Sequence, residues 1–533
     1  MSTDWLLEPH ERGNSSTEID RRHRDGKAWT TGNDVTPLIH GRTYFAELAK
    51  HVTNMQAGDL LMFTDWRGDP DQRVDDDGEE VGQLFCAAAQ RGVTVKGLVW
   101  RSHVDKLSFS EQENRHLGEE IESAGGECVR DMRVRPGGSH HQKFVVLRHA
   151  GRPHLDLAFV GGIDLCHSRF DDAGHAGDPQ RQPMAAAYGD QPPWHDIQLE
   201  LRGPAVGDVE TVFRERWEDP TPLTRNPVDW LSDRIRREDT TPNKLPARTP
   251  DPAPCGHHTV QLLRTYPYRR HGYPFAPDGE RSVARAYCKT LPRARRLIYV
   301  EDQYFWSVDV IRYFADAMRD SPALQLIVVI PHHPDQDGRL SMPPNLVGRQ
   351  QAIDLLNRAA PGRFGIYGLE NHAGTPVYVH AKVCVIDDTW TSVGSDNINR
   401  RSWSHDSELA CAVTDDDSTT GDDNTASVPA AGPSLSFGAA LRLQLACEHL
   451  DRDPGDDADL LEPEQMFSAF ADSARHLQHW YDTGRSGARP PGRIRPYHQP
   501  RLDAATLAWA TPLYKTIYDP DGRPGRLRRA GQF

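Results

Sequence analysis

Two short histidine–lysine pairs carry the side chains with which this sequence could do chemistry. His380 and Lys382 stand in the run VYVHAKVCVI, and His141 and Lys143 stand in SHHQKFVVL. A β-strand places residues i and i+2 on the same face, so each histidine shares a face with its lysine on an otherwise apolar strand. Because apolar neighbours offer a buried lysine no partner, the pattern predicts a cleft that binds an anion. For one pair alone, the alternative is an edge strand with two solvated side chains.

The residues after each pair predict the same hairpin twice. After His380, DD predicts a turn, TWTSV predicts a returning strand, and GSDN predicts a second turn that brings Asn397 beside the pair. After His141, LAFVGGIDL supplies the returning strand, and Asp164 stands where Asn397 stands in the other copy. Because the repeat is internal to the sequence, we predict one site that both copies build about a pseudo-twofold axis.

Several further motifs follow the two pairs in a fixed order. The spacing HxKxxxxD followed by GSxN, with its second copy, resembles the HKD signature of the phospholipase D superfamily. GGIDL, PWHD and GPAV after the first pair, and IYVEDQYF before the second, resemble the eukaryotic-type branch of that superfamily. The resemblance covers roughly residues 35–450. It implies an α/β fold of two pseudo-symmetric α/β/α sandwich halves with mixed sheets and one active site at their interface.

The two copies differ at the tip of the hairpin. Asp387, which the resemblance adds to the catalytic set, stands at the seventh position after His380, whereas Arg148 stands at that distance from His141. Asp156, just before the returning strand, could supply the missing carboxylate. Alternatively, Arg148 is tolerated because this position lies at the hairpin tip, away from the reacting groups. We favour the second explanation.

The chemistry that such a site could perform is the cleavage of a phosphodiester. That reaction needs positive groups on the non-bridging oxygens, a nucleophile, and an acid for the leaving alcohol. Two facing histidine–lysine pairs supply this set without a metal or another cofactor. Lys143 and Lys382 would bind the phosphate oxygens, helped by Asn397 and by Asp164 through a backbone or water contact.

The resemblance assigns different roles to the two histidines, which the residues themselves do not distinguish. It makes His141 the nucleophile that forms a phosphohistidine, and His380 the general acid and base. A reacting histidine needs an acceptor at its other ring nitrogen to fix its tautomer. By resemblance, each acceptor comes from the opposite half, so that Asp196 supports His380, and Asp406 or Glu408 supports His141.

The aromatic and histidine residues near these motifs have simpler interpretations. His140 points away from His141 along the strand, which favours packing or support of the site. Trp66, Trp194 and Trp306 favour core positions, although aromatic faces beside a cleft could also hold a choline head group. Histidine pairs elsewhere lack ligand spacing with carboxylates and the eight cysteines stand singly, so we expect no metal site.

Composition limits the partners of the protein. The 62 Lys and Arg against 77 Asp and Glu give a net charge of −15, which argues against nucleic acid as a partner. The start of the sequence lacks the pattern of a signal peptide, and no apolar run has the length of a membrane span. We therefore expect a cytoplasmic protein that meets lipid only at a membrane surface.

Alternating strand and helix patterns place the two hairpins in two halves of the chain. We predict a flexible lead-in at 1–33, a first half at 34–237, a Pro-rich linker at 238–256, a second half at 257–450 with a disordered acidic insertion at 414–436, and a C-terminal strap at 451–533.

We therefore expect a phospholipase D-like phosphodiesterase that hydrolyses a glycerophospholipid, with phosphatidylcholine as the leading candidate, to phosphatidate and the head-group alcohol. Water or another alcohol would accept the phosphatidyl group. The alternatives are a phosphatidyltransferase of the cardiolipin or phosphatidylserine synthase type, a nuclease of the same fold, and a binding protein with a decayed site.

Overall fold

The computed structural model describes residues 2–102, 111–236, 240–338, 341–416, 435–453, 455–498 and 501–533. Its strands are β1 Thr30–Ile39, β2 Leu60–Asp65, β3 Thr94–Trp100, β4 Glu127–Asp131, β5 Phe144–Arg148, β6 Leu157–Gly161, β7 Trp194–His195, β8 Ile197–Arg202, β9 His258–Tyr266, β10 Glu280–Arg281, β11 Leu297–Glu301, β12 Gln325–Val329, β13 Phe364–Glu370, β14 Pro376–Val379, β15 Val383–Ile386, β16 Trp390–Gly394, β17 Glu408–Asp415 and β18 Ile494–Pro496. Its α-helices are α1 Pro9–Arg12, α2 Gly41–Thr53, α3 Val81–Gln90, α4 Glu111–Ser123, α5 Ala205–Trp217, α6 Pro227–Arg236, α7 Ser282–Thr290, α8 Val308–Asp320, α9 Met342–Ala359, α10 Arg400–Ser404, α11 Phe437–Leu450, α12 Pro463–Asp482, α13 Ala504–Leu513 and α14 Gly525–Ala530.

The two halves repeat one sheet topology. The first sheet has the strand order β4-β3-β2-β5-β6-β8-β1, and the second has β13-β12-β11-β15-β16-β17-β9. In both, the first three strands are parallel, with helices in the crossovers, and the rest are antiparallel. Strand β1 pairs with β8 on one side and β9 on the other, which joins the sheets. The predicted pseudo-symmetric α/β fold with mixed sheets is confirmed.

The apolar pattern of each element explains its place in these layers. Strand β2 (LLMFTD) is buried along its whole length, as expected of a parallel strand covered on both faces. Helix α3 buries Val81, Leu84, Phe85 and Ala88, which recur at the spacing of one helical face. It covers the outer face of the first sheet with α2 and α4, while α7, α8 and α9 cover the outer face of the second. The inner faces of both sheets share one core with α5 and α11.

The first residues of the chain are packed against the second half. Leu7 N–H donates to Gln261 Oε1 at 2.8 Å, and the buried Arg12 guanidinium forms ion pairs with Asp20 and Glu280, each at 2.8 Å. The predicted flexible lead-in is therefore wrong for the described residues 2–33. Its polar residues suggested a solvated segment, but they find their partners in a distant part of the chain.

The remaining segments differ in part from the prediction. Within the predicted acidic insertion, residues 417–434 lie outside the described residues, whereas Asp415 ends β17 and Ser436 caps α11 by accepting from Ala439 N–H. The C-terminal segment contributes more than a surface strap, because Met466 and Phe470 of α12 enter the shared core and β18 pairs with β13. In the described part of the chain, every helix is too short or too polar to cross a lipid bilayer.

Candidate active site

The two hairpins position their histidine–lysine pairs in the same way. Each lysine immediately precedes a central antiparallel strand, β5 after Lys143 and β15 after Lys382. The carbonyl of each lysine accepts from the glycine that ends the returning strand, at 3.4 Å from Gly161 N–H and 3.2 Å from Gly394 N–H. The two turns that follow the returning strands therefore begin beside the two lysines.

His141 is held by a carboxylate of the second half. Its Nδ1 lies 2.9 Å from Glu408 Oε2 and 3.1 Å from the Ser395 carbonyl. Both neighbours are acceptors, so Nδ1 carries the ring proton and the Nε2 lone pair is left for reaction. The Ser395 hydroxyl donates to Glu408 at 2.6 Å, and the backbone N–H of His141 donates to the Ser407 carbonyl at 2.8 Å.

His380 is held by a carboxylate of the first half in the same arrangement. Its Nδ1 lies 2.7 Å from Asp196 Oδ2, and its backbone N–H donates to the His195 carbonyl at 2.8 Å. Gly162 occupies the position equivalent to Ser395, and a Cβ there would lie 2.3 Å from Asp196 Oδ1. A side chain at position 162 would therefore clash with Asp196. In the second half, the equivalent Ser395 instead donates its hydroxyl to Glu408.

Electrostatic interactions join the two pairs into one site. Burial lowers the pKa of His380 well below its usual value, and the cations Lys382, Arg169 and Lys143 lower it further. Burial raises the pKa of Asp196, and Lys382 opposes that rise. The pKa of Lys382 is lowered to about 8 by burial and by Lys143, against the influence of Asp196. Without substrate, the site thus holds several cationic groups around a neutral His380.

The lysines face polar groups from both halves. Lys143 Nζ lies 2.8 Å from the His141 carbonyl and 3.4 Å from Asp164 Oδ1. Lys382 Nζ donates to the His380 carbonyl and, at 3.3 Å, to Gln303 Oε1. These contacts leave the ammonium groups with donors that could bind an anion.

Asp164 and Asn397 occupy equivalent positions after the returning strands but differ in their contacts. Burial raises the pKa of Asp164, but Lys143 and Arg169 lower it far below its usual range. Asn397 is buried, and its Oδ1 has no hydrogen-bond partner among the described residues. Their predicted role in phosphate binding stays a prediction.

Asp387 lies at the hairpin tip and does not contact the reacting groups. Its carboxylate accepts from the backbone N–H groups of Arg295, Arg296 and Leu297 at the start of β11, at 2.6, 2.8 and 2.9 Å. The resemblance placed Asp387 in the catalytic set, and that role stays a prediction; its position at the tip agrees with the explanation favoured for Arg148. The carboxylate joins the hairpin to the neighbouring strand.

The first hairpin makes this connection with a different carboxylate. Asp59, directly before β2, accepts from Ala150 N–H at 2.8 Å, so the acceptor comes from the neighbouring strand instead of the hairpin. Arg148 is buried between Asp156 at 3.3 Å and Glu210 at 3.1 Å. Arg148 is therefore accommodated as a structural ion pair, and Asp156 serves that pair.

Asp406 and Glu408 have different hydrogen-bond partners. Asp406 accepts from the Ser139 N–H at 3.0 Å and from Arg401 Nε at 2.7 Å, and no contact joins it to His141. Burial raises its pKa, but Arg401 and His405 lower it far below its usual range. Asp406 thus holds the loop that leads to His141, whereas Glu408 and the Ser395 carbonyl accept from the ring.

Sequence reasoning did not assign Arg169, which follows the motif GGIDL, or Gln303, which lies within the motif IYVEDQYF. The Arg169 guanidinium stacks 3.9 Å from the Trp194 ring and lies 3.4 Å from Asp164. The Trp194 ring lies 5.0 Å from His380, and the Trp66 ring lies 6.3 Å from His141. Both tryptophans therefore line the site.

Trp306 and His140 are supporting residues. Trp306 stacks at 4.3 Å on Tyr304 in a separate aromatic cluster. His140 is buried, with Nδ1 2.9 Å from the Ser407 hydroxyl and Nε2 3.3 Å from Asp131. Burial, with Arg216 nearby, lowers its pKa to about 4, so His140 is a neutral support at physiological pH.

Two pseudo-symmetric mixed α/β halves, each with one histidine–lysine pair in a shared site, define a protein with a duplicated fold and a composite site. The chain belongs to the phospholipase D superfamily. Residues 69–327 match the family described as "Phospholipase D", and residues 287–422 match "Cardiolipin synthase, PLD-like domain".

Individual relatives are more distant. The chain is 24% identical over 459 residues to phospholipase D alpha 1 of Cynara cardunculus, covering 64% of this chain and 56% of that protein. It is 27% identical over 458 residues to phospholipase D alpha 1 of Arabidopsis thaliana, covering 62% and 54%. The chain thus spans little more than half the length of these relatives. The crystal structure of phosphatidylserine synthase from Haemophilus influenzae Rd KW20 aligns with a TM-score of 0.48 and 12% identity over 72% of this chain and 82% of that one, a likeness too distant to bear on function.

Proposed function

We propose that the protein is a phospholipase D-like phosphodiesterase that hydrolyses glycerophospholipids, with phosphatidylcholine as the leading substrate. The observation that carries this proposal is the crossed support of the two histidines. Glu408 accepts from His141 Nδ1, and Asp196 accepts from His380 Nδ1. Each half therefore fixes the tautomer of the other half's histidine and leaves both Nε2 atoms for a substrate.

The proposed reaction has two steps. His141 Nε2 attacks phosphorus, a P–N bond forms, and the P–O bond to the head group breaks as His380 gives its proton to the leaving oxygen. His380 then takes a proton from water, whose oxygen bonds to phosphorus as the P–N bond breaks. Lys143 and Lys382 would stabilise the charge on the non-bridging oxygens in both steps.

His380 must be protonated to act as the acid, although its pKa is low in the free protein. A phosphodiester bound between Lys143 and Lys382 brings a negative charge next to His380. That charge offsets the two ammonium groups and favours the imidazolium. Substrate binding would thus favour the protonated His380 that acts as the acid. Once His380 has given its proton to the leaving alcohol, its neutral ring can act as the base.

Helix α6 supports action at a lipid surface. Its side chains Val228, Trp230, Leu231 and Ile235 are 73, 57, 52 and 73% exposed. Exposed arginines at 225, 234 and 236 accompany this apolar face. An amphipathic helix with tryptophan and arginine fits the interface of a membrane that carries anionic lipids.

A chain of contacts connects α6 with the candidate site. Arg101 binds Asp233 of α6 with two hydrogen bonds, of 2.8 and 2.6 Å. The preceding Trp100 stacks at 5.6 Å on Trp66, whose ring lies 6.3 Å from His141. These contacts connect α6 with a wall of the site, and the proposal is that docking through α6 brings lipid head groups toward His141.

A phosphatidyltransferase is the second candidate, since residues 287–422 match the "Cardiolipin synthase, PLD-like domain" family. The same phosphohistidine would then pass its phosphatidyl group to a lipid alcohol instead of water. A nuclease is the third. The net charge of −15 disfavours it because polyanion binding requires a basic surface.

The deciding experiment measures choline release from phosphatidylcholine vesicles, with and without a primary alcohol. We expect release by the wild type, a phosphatidyl alcohol when the alcohol is present, and loss of both in His141→Ala and His380→Ala. His479→Ala, a substitution of an exposed histidine on α12, is the matched control. A protein that is inactive on vesicles but cleaves DNA or bis-p-nitrophenyl phosphate would refute the lipid proposal. Product formation only with a lipid alcohol would favour the transferase.

A further inference from the structure

Four side chains from distant parts of the sequence converge next to the segment that carries Asp196. They are His40, His175, His195 and Glu448, and one potential ligand atom from each lies within 4.8 Å of the others. His40 Nε2 is 2.8 Å from Glu448 Oε2, His175 Nε2 is 3.1 Å from Glu448 Oε1, and His195 Nδ1 is 3.5 Å from the same oxygen. The three histidines are buried and the glutamate nearly so.

The hydrogen bonds around His195 leave its Nδ1 free to ligate. Its Nε2 lies 2.6 Å from Glu301 Oε2, and the other oxygen of Glu301 accepts from the Tyr299 hydroxyl at 2.6 Å. With the ring proton donated to Glu301, Nδ1 carries a lone pair that faces Glu448. Among the described residues this buried atom has no hydrogen-bond partner. A lone pair and a carboxylate that face each other in a buried site are satisfied either by a second proton on the ring or by a metal ion between them.

The surroundings of the cluster resemble the outer shell of a metal centre. Metal-binding histidines almost always donate their second ring N–H to a carboxylate or carbonyl, as His195 does to Glu301. His175 Nδ1 faces Asp171 at 3.7 Å in the same sense. The backbone at His40 and His175 has φ of 68° and 53°, a left-handed conformation that non-glycine residues adopt chiefly where the surroundings enforce it.

We propose that His40, His175, His195 and Glu448 bind one divalent transition-metal ion, with zinc as the ion that suits them. Imidazole nitrogens and carboxylate oxygens are both zinc donors, and four of them can complete a tetrahedral site. Four protein ligands fill the tetrahedral positions, so the centre is structural. This proposal departs from the expectation of no metal, and it does not depend on the proposed lipid substrate.

The proposed metal centre has ligands from both halves of the chain. Glu448 belongs to α11 of the second half, whereas the three histidines belong to the first half. The His195 carbonyl accepts from the N–H groups of His380 at 2.8 Å and Ala381 at 3.2 Å, and Asp196 follows directly in the chain. A metal ion here would hold the halves together and position Asp196 and His380.

The test measures metal content in the tag-free, full-length protein. Elemental analysis after gel filtration from zinc-supplemented cells is expected to give about one zinc ion per chain. His175→Ala should lose that ion, and Glu301→Gln should weaken binding by about 10- to 100-fold through its effect on His195. His479→Ala should keep full occupancy. Circular dichroism and gel filtration establish that each variant is folded.

A second measurement uses the wild type alone, in case the variants do not fold. After removal of zinc by a chelator, the melting temperature should fall and should recover with added Zn²⁺. Co²⁺ in place of zinc should give the visible absorption of a tetrahedral site. A wild-type protein with far less than stoichiometric metal, and with a melting temperature unmoved by chelator or Zn²⁺, would overturn the proposal. The cluster would then be a hydrogen-bonded network of histidines around Glu448.

Discussion

Asp196 Oδ2 lies 2.7 Å from His380 Nδ1, although the two residues belong to opposite halves and stand 184 positions apart. The equivalent contact in the other direction joins Glu408 and His141, which are 267 positions apart. Neither half therefore supplies the carboxylate that holds its own histidine. The site depends on the packing of the two sheets against each other.

Asp196→Asn should reduce kcat by about 10²–10⁴-fold, because an amide can present N–H groups to His380 Nδ1 and so favour the wrong tautomer. Steady-state kinetics on phosphatidylcholine vesicles measures this loss, and sedimentation shows whether vesicle binding is unchanged. Asp406→Asn is the matched control and should cost far less, since Asp406 does not contact His141. Equal losses in both variants would contradict the specific role of Asp196.

The covalent step predicts a phosphorylated histidine. Rapid quench into alkaline detergent, which preserves the acid-labile P–N bond, should trap label from phosphate-labelled substrate on His141 in the wild type, because Nε2 of that residue is the proposed nucleophile. His141→Ala should lose the label, whereas His380→Ala should keep or accumulate it. Loss of label in His380→Ala with retention in His141→Ala would reverse the two roles.

The pKa of Lys382 predicts an alkaline limit. At about 8, this pKa means that the ammonium group is charged below that pH and becomes neutral above it in the free protein. Phosphate binding should weaken accordingly, so kcat/KM should fall above about pH 8. Lys382→Arg keeps its charge and should move this limb to higher pH, even if its rate is lower. A flat profile between about pH 7 and 9.5 in the wild type would contradict the assignment.

The lowered pKa of Lys382 also makes the free energy of unfolding depend on pH. Because the pKa of Lys382 is lower in the folded than in the unfolded chain, the unfolded chain binds more protons between about pH 8 and 10.5. The resulting cost to folding, about 3 kcal/mol, is fully present below pH 8 and disappears as the pH rises to 10.5. Lys382→Met should therefore be more stable than the wild type in denaturant unfolding at pH 7.

Asp387 should matter for stability and little for catalysis. Asp387→Ala removes the acceptor of three backbone N–H groups at the start of β11, which should lower the free energy of unfolding by about 1–3 kcal/mol. The activity per folded molecule should stay near that of the wild type. Denaturant unfolding and active-site titration measure the two quantities. A stable but inactive Asp387→Ala would contradict this prediction and would indicate that Asp387 contributes to catalysis.

Helix α6 should govern binding to membranes. The double variant with Trp230→Ser and Ile235→Ser removes two exposed apolar side chains and should weaken partition onto vesicles with anionic lipid by about tenfold or more. Hydrolysis of a soluble short-chain substrate should be unchanged. Leu461→Ser, which alters a leucine exposed by 39% outside α6, is the control. Unaltered vesicle binding in the double variant would exclude α6 as the docking surface.

Much of this protein could be predicted from local patterns in its sequence. The i, i+2 spacing predicts each histidine and its lysine on one side of an extended segment, which the structure places directly before β5 and β15, and the repeated hairpin predicts a pseudo-symmetric site. Both follow from short-range backbone geometry, which neighbouring residues determine. The same kind of reasoning could not separate Asp406 from Glu408, because both stand close to the strand that reaches His141.

Tertiary packing decided the remaining features. Whether a carboxylate reaches a histidine of the other half depends on how two sheets meet, which no local pattern encodes. For the same reason the first residues of the chain were taken for a flexible segment, and the backbone N–H groups that Asp387 binds before β11 could not be foreseen. The convergence of His40, His175 and His195 on Glu448 is the clearest case. These residues are scattered through the sequence without ligand spacing, and the folded chain alone brings them together.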